Sequence, residues 1–363
     1  EVTSNNETAV CNLGSVNLSR HIIDGRFDFD KLARSVKTAV KYLDRVVDIN
    51  FYPIPQAESS NHKWRPVGLG LMGLQDAFFQ LKLPFDSAEA RQLSTKIQEE
   101  IYYNALATSC ELAEKQGPHA AFADTKAAQG VLQFDLWGIT PSDSVRWTNL
   151  KEKIQKHGLR NSLLIAIAPT ATIASIVGCY EATEPQISNL FKRETLSGEF
   201  LQINRYLVSD LKALSLWNEN LRNQIKAKEG SIQDIAEIPP TLRDLYRTVW
   251  EVPMKSLIDL GAERASYIDQ SQSLNLFMES PTIGKLSSMY MYAWKKGLKT
   301  TYYLRSRPAT SIAKTTIKMM SSGSALESSN AESMNALAEK KTYSESEIIA
   351  CSLDNPEACE ACQ

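Results

Sequence analysis

The stretch Leu163-Leu164-Ile165-Ala166-Ile167-Ala168-Pro169-Thr170 decides how the chain is read. A short, unbroken apolar run closed by a proline is the pattern of a strand buried on both faces, and such strands belong to parallel sheets inside α/β proteins. That strand needs helices to cover it, and helical patterns lie on either side. Over 27–50 the residues Leu32, Val36, Ala39, Val40, Leu43 and Val47 recur at three- and four-residue steps, the stripe of an amphipathic helix. A second helical block is expected over 69–80. A third starts at Asp86, where Asp86 and Glu89 have capping-box spacing ahead of Ile97, Ile101, Ala105 and Leu112. Another helix is expected near 142–156, and 201–260 is mostly helical with a break at Pro239-Pro240. Thr300-Thr301-Tyr302-Tyr303-Leu304 is a second strand and Thr8-Ala9-Val10-Cys11-Asn12-Leu13 a third. The fold class is α/β with few, widely spaced strands and no internal repeat.

The chain has 363 residues, enough for about two domains at roughly 150 residues each. Its 40 Lys and Arg against 42 Asp and Glu leave a net charge of −2, so nothing draws it to polyanions and no direct DNA binding is expected. No apolar run approaches the ~18 residues of a membrane span. Six cysteines at uneven spacing do not form a secreted disulfide framework, which favours a reducing cytoplasm. The opening Glu1-Val2-Thr3-Ser4-Asn5-Asn6-Glu7 has no initiator Met, basic start or apolar signal region, so the expectation is an interior piece of a longer product or half of a divided one. After Pro308 the composition shifts to Ser, Ala, Thr, Glu and Lys. This divides the chain into a folded part, 1–308, and a flexible tail, 309–363.

Four features carry potential chemistry, each beside a plainer reading. Gly68-Leu69-Gly70-Leu71-Met72-Gly73 has the glycine spacing of a dinucleotide turn. Trp64-Arg65-Pro66 stands where the preceding strand should be, so helix packing through glycine is expected instead. Pro169-Thr170-Ala171-Thr172-Ile173 follows the buried strand and opens a helix; it is an ordinary capped turn, or an anion site built from free N–H groups and two hydroxyls. Tyr302-Tyr303 is ordinary strand material, with the two rings expected on opposite faces. Cys359-x-x-Cys362 ends the tail, where close thiols can exchange a disulfide between partners. A structural zinc needs four ligands, yet of the remaining cysteines only Cys351 is near, and His21, His62, His119 and His157 are far off, so no metal site is expected. Cys110, Cys179 and, on spacing alone, Cys11 read as small buried hydrophobes.

Together, Ala9-Val10-Cys11-Asn12-Leu13, Arg65-Pro66-Val67-Gly68, Ala168-Pro169-Thr170-Ala171-Thr172-Ile173, Arg193-Glu194-Thr195-Leu196-Ser197-Gly198-Glu199-Phe200, Tyr302-Tyr303-Leu304-Arg305-Ser306-Arg307-Pro308 and the final Cys-x-x-Cys resemble the large, catalytic subunit of class I ribonucleotide reductase, in the same order. The resemblance implies the C-terminal half of a ten-stranded α/β barrel, in which two parallel five-stranded halves run antiparallel to each other. Helices would surround this half within 1–308, with the redox tail following. It also implies reduction of ribonucleoside diphosphates at the 2′ carbon by a thiyl radical, formed by electron transfer from a metal-containing small subunit; no cofactor is assigned to this chain.

By the same resemblance, Tyr302 and Tyr303 relay the radical, and Pro169, Thr170, Ala171, Thr172 and Ile173 hold the diphosphate, with Leu13 also beside the substrate. Cys11 is one of two thiols oxidised in each turnover; Cys359 and Cys362 re-reduce it and are reset by thioredoxin or glutaredoxin. The family's Asn-Leu-Cys-x-Glu segment, with the radical cysteine and the glutamate base, precedes the position of Glu1. An N-terminal fragment of the large subunit is therefore an expected partner, without which this chain is expected to be inactive. A cobalamin-dependent reductase, which does not need the tyrosine relay, and a non-catalytic nucleotide-binding module are the alternatives.

Overall fold

Extended segments lie side by side in the order in which they occur along the chain. The computed structural model of the protein describes residues 4–195 and 198–307, without the side chains of 192–195 and 198–201. The strand Asn12–Asn17 pairs in parallel with Val67–Met72, setting Leu13 opposite Gly68 and Val16 opposite Leu71. Leu69 bridges in parallel to Ile165, and Ile167 to Gln272. Leu276–Phe277 pairs in parallel with Leu304–Arg305, and the pairing extends back to Tyr302, whose N–H donates to the Leu274 carbonyl at 2.8 Å. The result is a row of five parallel segments, 12–17, 67–72, 163–167, 270–277 and 302–305. The strands of the described residues form small paired sheets and do not close into a barrel.

The buried run at 163–167 thus sits in the middle of a parallel array, as its sequence predicts, although it is held by single bridges rather than a long ladder. Val67, Leu69, Leu71, Ile165 and Ile167 are all at most 2% exposed. They face the helix Phe29–Ile49 and the long helix Ala88–Gln116, which pack on each other and form one core with Met254–Ala265. The predicted stripe is buried as Leu32, Val36, Val40, Leu43 and Val47, and each such side chain contributes about 1.5–3 kcal/mol. Asp28 caps this helix, its carboxylate accepting from the Lys31 N–H at 2.8 Å.

Several expectations are corrected. The first half of the block 69–80 is not helical: Val67–Met72 is a strand, and the helix is Leu74–Leu81. The glycines there serve close strand packing, not helix packing. A Cβ on Gly70 would stand 2.5 Å from the Ala166 carbonyl oxygen, so only glycine lets the two backbones approach this closely. The long helix is capped by Ser87, which accepts from the Ala90 N–H, rather than by Asp86. The first strand starts at Asn12, four residues later than the run predicted from Thr8. The helix expected near 142–156 runs Ser144–His157, and Pro239-Pro240 starts the helix Pro240–Leu245 instead of only breaking one.

A second, smaller core gathers around Phe79, Leu190 and Tyr246, with Leu207 and Leu211 of the helix Arg205–Ala213 and Leu221 and Ile225 of Glu219–Ala227. It lies beside an antiparallel hairpin, Leu190–Thr195 with Gly198–Ile203, whose strands include Arg193 to Thr195 and Gly198 to Phe200 of the motif.

Candidate active site

Along the parallel row, side chains alternate between the helix-covered face and an open one. In the first strand Val16 is buried, whereas Leu13 is 57% exposed. Cys11, just ahead of that strand, is exposed, not the small buried hydrophobe that spacing suggests. Its Sγ lies 3.9 Å from Oε1 of Gln270, and Gln270 is itself fixed by donating Nε2 to the Val67 carbonyl at 2.8 Å. A Cβ on Gly68 would fall 2.6 Å from Leu13 Cδ2, 2.8 Å from Cys11 Sγ and 3.2 Å from Ala166 Cβ. Cys11, Leu13, Gly68 and Ala166 therefore share one face, floored by small residues. The entrance to the first two strands is locked by Arg65, whose guanidinium bonds Asp44 at 2.8 Å and Asp48 at 2.7 Å. The Arg65 hydrogen bond holds the Asp48 carboxyl below its usual range. This gives the Arg65-Pro66-Val67-Gly68 motif a structural role that the sequence alone does not disclose.

The loop after residues 163–167 opens the short helix Ala171–Val177. Thr170 has a φ of 59°, a strained conformation for a β-branched residue. Its Oγ1 accepts from the buried Ala182 N–H at 2.8 Å, and its carbonyl accepts from the Ala174 N–H. Thr170 therefore builds the loop, while Ala171, Thr172 and Ile173 are exposed. The N–H groups at the start of such a helix have no partner within it.

Tyr302 and Tyr303 are not on opposite faces. Their ring centroids are 4.2 Å apart at 51°, and interaction with the Tyr303 phenol raises the pKa of the Tyr302 phenol. The Tyr303 N–H donates to Oδ1 of the buried Asn275 at 3.1 Å. Asn275 Nδ2 donates in turn to the buried carboxyl of Glu184. Burial, opposed by Arg305, raises the Glu184 pKa to about 7.

Sequence reasoning missed Gln270, Asn275 and Glu184. The usable signal was a run of polar residues, Asp269-Gln270-Ser271-Gln272-Ser273, in a segment whose neighbours are core. Cys110 is buried, as expected; Cys179 is half-buried, and burial together with the nearby Asp76 charge pushes its thiol up to about 12. Cys351, Cys359 and Cys362 lie outside the described residues. Among the described residues no group of His, Cys, Asp or Glu is arranged to hold a metal ion, and no helix is long and apolar enough to cross a membrane.

The family model of the ribonucleotide reductase barrel domain matches residues 1–304. The chain belongs to the ribonucleotide reductase large-subunit family. It is 47% identical over its whole length to the ribonucleoside-diphosphate reductase large chain of Schizosaccharomyces pombe, 46% of which it covers. Against the large subunit of Danio rerio it is 46% identical over its whole length, covering 45% of that protein. Against that of Vaccinia virus it is 51% identical over 84% of the chain and 40% of the relative. The chain thus spans about half the length of the curated reductases it matches. Among solved structures, the class Id ribonucleotide reductase alpha subunit of Actinobacillus ureae superposes with a TM-score of 0.67 at 25% identity, over 85% of this chain and 51% of that one. Family membership agrees with the motif order read from the sequence.

Proposed function

We propose that this chain is the C-terminal part of a class I ribonucleoside-diphosphate reductase large subunit, acting in deoxyribonucleotide synthesis. The tyrosine pair carries this reading: two phenols with ring centroids 4.2 Å apart suit stepwise transfer of an electron and a proton. A cobalamin-dependent reductase or a nucleotide-binding module needs no such pair. The row of five parallel segments supports the finer fold reading, one half of a ten-stranded barrel whose open face meets the other half.

In this reading a small subunit with a metal cofactor delivers the radical through Tyr303 and Tyr302 to a cysteine in the N-terminal part of the subunit. The diphosphate lies against 169–173, with Thr170 shaping the loop and Thr172 free to donate, and Leu13 beside the substrate. The 2′ hydroxyl leaves as water. The two electrons come from Cys11 and a second thiol, which close a disulfide as the deoxyribonucleotide forms. Cys359 and Cys362 reopen that disulfide by exchange and are reduced by thioredoxin or glutaredoxin, in keeping with a cytoplasmic enzyme.

The test is reconstitution: this chain, the N-terminal part of the large subunit and the small subunit should together convert CDP to dCDP. Reduction by this chain and the small subunit alone would overturn the reading. A Cys359→Ser, Cys362→Ser double variant should lose thioredoxin-supported turnover but keep turnover with a small dithiol; equal loss with both reductants removes the shuttle.

A further inference from the structure

Tyr302 and Tyr303 sit at the rim of the row, 44% and 58% exposed, so core packing does little to fix their rings. What holds them from below is buried. Asn275 is 1% exposed and Glu184 4%, and the Asn275 amide spans the gap between the Glu184 carboxyl and the Tyr303 N–H. An amide has one donating and one accepting end. Turned over, it would point its NH2 at the Tyr303 N–H and its oxygen at the carboxyl, losing both bonds. Glu184 therefore dictates which end of Asn275 faces Tyr303. Glu184 is anchored in turn: Arg264 Nη2 donates to Thr183 Oγ1 at 2.8 Å, and the Ala182 N–H is held by Thr170 at 2.8 Å.

We propose that Glu184 and Asn275 form a clamp that positions Tyr303, and with it the tyrosine pair, for transfer; this rests on the relay reading given above. They are positioning residues, since neither touches the reacting groups. Transfer between groups in contact depends steeply on placement, and a shift of about 1 Å can cost about a hundredfold in rate. The charged groups acting on Glu184 are Arg305, which favours its carboxylate, and Glu181, which opposes it, while burial favours the neutral acid. The ionised carboxylate is the stronger acceptor for Asn275, so kcat should rise with pH through about 7.

The test uses the full large subunit assembled with the small subunit. Glu184→Ala and Asn275→Ala should each lower kcat for CDP by about tenfold or more, with KM moving less than about twofold. Glu184→Gln keeps an oxygen for the Asn275 amide; it should restore most of that kcat and flatten the rise near neutral pH. Unchanged kcat in both alanine variants overturns the clamp, as does a Glu184→Gln no better than Glu184→Ala. If the alanine variants do not fold, the pH profile of Glu184→Gln decides, and a profile identical to wild type overturns the clamp. Tyr303→Phe run alongside separates the two ideas: turnover retained there removes the relay itself. Turnover lost there, with wild-type behaviour of the Glu184 and Asn275 variants, removes only the clamp.

Discussion

The two faces of the parallel row are made by the same strands and have opposite character. Leu69, Leu71, Ile165 and Ile167 point into the helices and are essentially sealed. Their neighbours Gly68, Gly70 and Ala166 leave the other face flat, with Cys11 and Leu13 exposed on it. One face supplies most of the stability; the other leaves room for a substrate. Changes on the two faces should therefore separate, one acting on folding and the other on turnover.

The largest expected effect belongs to the rim of the open side. Tyr302→Phe and Tyr303→Phe each delete one hydroxyl from an exposed ring, so melting temperature should hold while turnover falls below about a tenth. Activity above that level, with subunit assembly intact, would count against the relay. Leu69→Ala, on the sealed face, should instead cost about 2–5 kcal/mol in urea denaturation. A cost under about 1 kcal/mol would mean the helices do not pack tightly there.

Thr170 and Thr172 repeat the contrast within one loop. Thr170→Val strands the buried Ala182 N–H, so about 1–3 kcal/mol of stability should go. Thr172→Val should leave stability within about 0.5 kcal/mol and weaken diphosphate binding, measured as a higher Kd for CDP. Equal stability losses in the two would show that Thr172 is structural as well.

What the sequence disclosed follows the same division. The stripe from Leu32 to Val47 and the run 163–167 are legible because burial on one side forces a period, and the period survives in the residue types. The strand Val67–Met72 was misread although Leu69 and Leu71 alternate correctly, because glycine at 68 and 70 carries no strand preference. Its reason for being glycine is a neighbour about a hundred residues further along the chain, at Ala166. The motif residues of the candidate site were recognisable as a set, through their order. Their arrangement was not: the contact of the Tyr302 and Tyr303 rings, the Gln270 contact with Cys11 and the Glu184 to Asn275 bond all depend on segments distant in sequence. The role of Arg65 likewise shows only once Asp44 and Asp48 are seen to receive it.

The row also has a kinetic meaning, because its spatial order is its chain order. Leu13 meets Gly68, Leu69 meets Ile165 and Ile167 meets Gln272, each pair separated by more than fifty residues. Contacts this distant in sequence make folding slow compared with a helical bundle. During synthesis, however, every new segment finds its neighbour already made, and the sheet can grow by accretion from its first strand. At each stage it presents two bare edges, the first strand and the segment most recently completed, and the second is the moving front where a stalled chain would pair wrongly.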